Sequence, residues 1–133
     1  MKRSLLARGV PVVVLALLSA CRGQVRPEEV PGTYALNKGA AADTLVLGSR
    51  GSYTHLFVPL GQAAVRDTGS WKAEATPTGL RLTMSGFSMH PRVPIDSQPP
   101  VVRGFWVVDI GRTLGGRLRL PVDEDIGVYY VRR

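Results

Sequence analysis

Short stretches of the chain alternate apolar and polar side chains one for one. Leu80-Arg81-Leu82-Thr83-Met84 and Leu118-Arg119-Leu120 have this period, and Leu45-Val46-Leu47 is a shorter apolar segment of the same kind. A period of two places successive side chains on opposite faces of a strand, one toward a core and one toward water. A second pattern runs between these segments, a glycine followed two places later by an aromatic: Gly32-Thr33-Tyr34, Gly51-Ser52-Tyr53, Gly69-Ser70-Trp71, Gly104-Phe105-Trp106 and Gly127-Val128-Tyr129. Glycine frees the backbone to leave a turn, and the aromatic then falls on one face of the strand that follows. Strands are expected near 32–37, 43–48, 52–58, 65–74, 79–85, 101–110, 116–120 and 127–132, with weaker structure around Phe87. No helical period appears after the N-terminal segment, and Gly61-Gln62-Ala63-Ala64 predicts at most a turn or a bulge.

The connections suit hairpins. Gly48-Ser49-Arg50-Gly51 and Thr76-Pro77-Thr78-Gly79 are tight-turn sequences between neighbouring strands. Eight short antiparallel strands in chain order predict an all-β fold, a small up-and-down barrel or curled sheet, whose closure removes exposed edges. One connection is long, residues 90–100, and its prolines cannot donate to a ladder. It is either a functional loop over one end of the barrel or a stiff crossover.

The first twenty residues are of another kind. Lys2, Arg3 and Arg8 precede an uncharged run, Val10 to Leu18, which leads to Ser19, Ala20 and Cys21, the only cysteine. A positive start, an apolar stretch and small residues describe a cleaved export signal, too short to span a bilayer as a helix. Leu18-Ser19-Ala20-Cys21 resembles a bacterial lipobox. That resemblance implies cleavage before Cys21, two or three acyl chains on it, and, with Arg22 rather than an aspartate following, residence in the outer membrane. Lipidation also explains a lone cysteine in an exported chain. The expected organisation is therefore a signal at 1–20, lipidated Cys21 and a polar tether at 21–31, and a barrel domain at 32–133.

Removing the signal changes the charge. The whole chain carries a formal +7; without Lys2, Arg3 and Arg8, fourteen basic side chains remain against ten acidic ones. An excess of this size, with no basic stripe interleaved with aromatics, argues against nucleic acid as a partner and suits an anionic surface. The membrane, reached through the lipid anchor, is the expected partner.

The stretch GTYALN…DTLVL…GSYTHLF…GSW…GLRLTM, residues 32–84, is similar to the small lipocalin-like barrels of bacterial envelope lipoproteins, closest in rhythm to the N-terminal domain of the copper-homeostasis and surface-sensing family NlpE. Where that family places a Cys-x-x-Cys pair after the first strand, this chain has Lys38-Gly39-Ala40-Ala41-Ala42. The family's copper binding is not carried over.

Candidate chemistry is sparse. His55 and His90 are the only histidines, and His55 shares a strand face with Tyr53 and Phe57, which suits a hydrogen-bonded lumen histidine better than a metal ligand. Asp123-Glu124-Asp125 lacks the donor spacing of a calcium loop and reads as a solvated turn near Arg117 and Arg119. No serine lies in a nucleophile elbow. No cofactor or metal is expected. The aromatics either fill the barrel or line a ligand cavity, and Tyr34, Tyr53, His55, Trp71, Trp106 and Tyr129 are the candidate ligand-binding set. These features predict a noncatalytic envelope lipoprotein that binds a small apolar ligand or an envelope protein. A second reading is an inhibitor or assembly partner of an envelope enzyme, acting through the proline-rich loop and Arg112, Arg117 and Arg119. A third is an enzyme with His55 or His90 as base.

Overall fold

A computed structural model describes residues 24–39, 42–88 and 103–133. The signal, Cys21 and the whole proline-rich connection, His90 included, lie outside the described residues. Eight strands follow in chain order: β1 (Gly32–Leu36), β2 (Ala42–Leu47), β3 (Ser52–Val58), β4 (Val65–Thr76), β5 (Gly79–Ser88), β6 (Arg103–Arg112), β7 (Leu118–Asp123) and β8 (Val128–Arg132). Each pairs antiparallel with the next, and β8 pairs with β1, closing an up-and-down barrel. The expected fold class is therefore observed, and closure decides between the barrel and the curled sheet.

Alternation sets the interior. Tyr34, Leu45, Leu47, Tyr53, Leu80, Leu82, Met84, Val108, Ile110, Leu118, Leu120 and Tyr130 are buried in one core. The β2–β3 hairpin turns at Gly48–Gly51, where the Gly51 N–H donates to Gly48 O at 3.2 Å and Gly51 takes φ of 79°, a conformation open to glycine. Two elements depart from the sequence reading. Around Phe87 the strand does not weaken; β5 runs on to Ser88 through a bulge between Ser85 and Phe87. Gly86, with φ of 74°, sits at that shift. Two residues of strand would return Met84's facing at Gly86, so the extra residue is what turns Phe87 into the barrel, where it is 3% exposed.

The second departure is the tether. From Val25 onward it belongs to the fold: a short 3-10 helix, Pro27–Glu29, leads to Val30, which is fully buried. Tyr34 donates its hydroxyl to Val30 O at 2.6 Å. Arg132 Nη1 donates to Glu29 O at 2.6 Å, and Arg112 Nη2 reaches both Glu29 carboxylate oxygens at 2.8 and 3.0 Å. These contacts lie where β1, β3, β5 and β7 begin, so residues 25–30 close that end of the barrel. Trp71 helps, donating Nε1 to Gly48 O at 3.0 Å across the β2–β3 turn. The opposite end carries the β1–β2, β3–β4, β5–β6 and β7–β8 connections.

Candidate functional site in the barrel interior

The half of the barrel nearest the closed end is filled mainly with aliphatic side chains, with Tyr34 and Trp71 among them. Toward the other end the interior changes character. Asp43 stands at the start of β2 on the face of Leu45 and Leu47, so strand alternation drives an acid inward; it is 8% exposed. His55 on β3 lies across from it, 2% exposed, with Nε2 2.8 Å from Asp43 Oδ1. Tyr130 on β8 completes the group, donating its hydroxyl to the same Asp43 oxygen at 2.5 Å. The Tyr130 oxygen is 3.1 Å from His55 Nε2, so the three polar ends meet at one point. Asp43 Oδ1 accepts from both neighbours when Nε2 carries the ring proton. On the other side of the ring, Asp67 Oδ2 of β4 lies 3.9 Å from His55 Nδ1.

Aromatic rings enclose this group. Phe87 stacks on His55 with centroids 4.8 Å apart, and Trp106 stacks on the far face of Phe87 at 4.9 Å. Tyr130 meets His55 edge-on at 6.2 Å and Trp106 at 5.9 Å, while Tyr53 abuts Phe87 at 5.9 Å. Trp106 and Phe57 are only half-buried. The result is a layer of stacked rings over a buried His–Asp–Tyr junction, at the level where β3 and β5 end and β4 and β6 begin. It can hold a flat or apolar body against the rings and offers oxygen and nitrogen atoms beside it.

Of the candidate ligand-binding residues, the structure brings His55 and Trp106 into this layer, with Tyr53 packed against it. Tyr53 donates its hydroxyl to Ser85 O at 3.2 Å. Burial, with Asp67 nearby, pushes that hydroxyl's pKa up, against a smaller opposing pull from Arg103. Tyr34 and Trp71 belong to the closed end, where burial drives the Tyr34 hydroxyl up to about 12. Tyr129 is a correction: it lies outside the barrel with the Arg119 guanidinium 4.6 Å from its ring centre, and its neighbour Tyr130 is the inward aromatic. β8 alternates without a break, Val128 and Tyr130 inward and Tyr129 between them outward, and the register shift between Pro121 and Asp123 falls on β7.

Asp43, Asp67, Phe87 and Tyr130 were missed. Asp43 was the legible one, since it shares the parity of Leu45 and Leu47. Asp67 likewise shares that of Gly69 and Trp71.

Other candidates resolve differently. Asp123, which ends β7, and Glu124 and Asp125 in the turn that follows are exposed, and no metal-holding group of three or more donors occurs among the described residues. Arg117 is no neighbour of that turn, because it sits at the opposite end of β7. Arg112 is held on Glu29 and Arg119 on Tyr129, so two of the three arginines assigned to partner recognition serve the barrel's own packing. No helix among the described residues is long and apolar enough to cross a membrane. Compared with family models, curated proteins and solved structures, the chain matches none.

Proposed function

We propose that this protein is a noncatalytic lipoprotein of the bacterial envelope, held by acylated Cys21, whose barrel binds a small, largely apolar molecule at the end opposite the N-terminal plug. The observation that carries the reading is the difference between the two ends. Residues 25–30 seal one with aliphatic packing and paired arginines, while the other holds Asp43, His55 and Tyr130 under stacked rings. Aliphatic side chains of similar volume would stabilise that layer at least as well, since burying charge-bearing groups costs several kcal/mol before pairing offsets it. Polar groups kept there at that cost suit recognition. An apolar ligand body would rest on Trp106 and Phe57, and its polar substituent would meet the junction.

Lipidation is supported by the lipobox-like Leu18-Ser19-Ala20-Cys21 and the absence of any other cysteine. Cys21→Ser is expected to leave the chain unacylated. Native mass spectrometry of the mature protein, taken from its envelope under mild conditions, tests the binding reading. A stoichiometric additional mass that leaves on denaturation is the expected outcome, whereas a clean apo mass turns the assignment toward a protein partner.

A further inference from the structure

We propose that the closed end of the barrel is a membrane-docking face that seats directly on an anionic lipid surface. The described segments at that end are 24–31, the β2–β3 turn, the β4–β5 turn, the β6–β7 turn and residue 133. Arg26, Arg50, Arg117 and Arg133 are exposed there, and Glu28 is the only exposed acid in these segments. Glu29 is already taken by Arg112 and by the Arg26 backbone N–H. The β6–β7 turn carries Leu114 at its tip, fully exposed, between Arg112 and Arg117. An exposed apolar tip on a face that also presents arginines is the composition that enters the headgroup region of an anionic bilayer. The other end carries no such excess among the described residues, with Asp123, Glu124 and Asp125 exposed alongside Lys38, Arg66 and Arg103.

Chain length agrees. Residue 24 is where the described chain begins, and Val25 is already packed into the barrel. Only three residues separate it from Cys21, and even fully extended these reach about 11 Å. An acyl anchor on so short a lead leaves the barrel on the bilayer, plug side down, with the ring-lined layer directed away from it. This last argument rests on the lipidation proposed above; the charge distribution and Leu114 do not.

The test places a single bimane fluorophore on the acylated full-length protein, through Leu114→Cys in one preparation and Ile126→Cys in another. Both are bound to vesicles of phosphatidylcholine with brominated phosphatidylglycerol. Quenching at position 114, with position 126 emitting as in water, is the expected result. Quenching at 126 instead, or at neither position, overturns the proposal. Arg50, Arg117 and Arg133 have no side-chain partner among the described hydrogen bonds and ion pairs. Their joint change to Glu is therefore expected to leave thermal unfolding unchanged while abolishing quenching at 114. Each arginine near an anionic surface is worth about fivefold in partitioning. Quenching that survives the triple change overturns the electrostatic basis. Flotation with vesicles in concentrated salt separates the two claims: acylated protein floats regardless of salt. Protein that fails to float lacks the anchor; the same two labels placed in a Cys21→Ser background, which leaves one thiol, then decide the docking face by quenching at low salt.

Discussion

Tyr130 and Asp43 lie 87 residues apart in sequence and are joined inside the barrel by a 2.5 Å hydrogen bond, to an oxygen that also takes the His55 ring at 2.8 Å. Barrel closure makes this contact, because β8 reaches β2 only by pairing with β1 between them. Removing the Tyr130 hydroxyl deprives a buried acid of one donor. Tyr130→Phe is expected to lower stability by about 1–3 kcal/mol, read from the urea midpoint with an unchanged slope. Unaltered stability would mean that the junction is not held by this bond.

A second expectation concerns Gly69, which pairs with Tyr53 across β3 and β4. A methyl group there would come within 2.3 Å of Ser85 O and 2.6 Å of the Tyr53 ring. Tyr53 covers the glycine and reaches Ser85 O over it, so neither neighbour has room to retreat. Gly69→Ala is expected to cost about 1–3 kcal/mol through overpacking, checked by thermal melts against wild type.

These two sites mark how far the sequence could be read. Alternation and glycine spacing located all eight strands, since a period of two survives wherever one face is buried. The same spacing gave the wrong facing at Gly127-Val128-Tyr129, where Tyr130 rather than Tyr129 points inward. Phe87 was obscured for a related reason: the bulge at Gly86 breaks the parity that would have grouped it with Leu82 and Met84. Residues 25–30 read as tether because two isolated valines among charges and prolines have no period. Only docking against Tyr34, Arg112 and Arg132 shows what they do.

The plug should respond to acid. The Arg26 backbone N–H, then the Arg112 guanidinium, holds the Glu29 carboxyl below its ordinary value of 4.5. A carboxyl with a depressed folded pKa contributes stability that is present above the unfolded value and lost as pH falls through the lower folded one. Protection of the backbone amides in residues 24–30, with exchange corrected for its intrinsic pH dependence, is therefore expected to fall below pH 4.5, before the strands open. Glu29→Gln should show the lower protection already at neutral pH and lose most of the acid dependence.

Alkali should act on the same end through Tyr34. Burial raises its hydroxyl from 10.0 to about 12, against a weaker opposing pull from Arg132. A group raised in this way lends stability that is complete below 10 and declines as pH climbs toward about 12. Tyr53 shifts in the same direction and shares the effect. Tyr34→Phe is expected to be less stable at neutral pH, having lost its bond to Val30 O, yet flatter across the alkaline range in urea titrations.

We assign ligand binding to the ring-lined layer and not to the plugged end. The two tryptophans separate these places, Trp106 stacked on Phe87 and Trp71 bonded to Gly48 O. Native mass spectra of wild type, Trp106→Ala and Trp71→Ala, each purified identically and shown to be folded, distinguish the two places. A co-purified mass that is kept by Trp71→Ala and lost by Trp106→Ala is the expected result. A mass retained by Trp106→Ala, or lost only by Trp71→Ala, would contradict it.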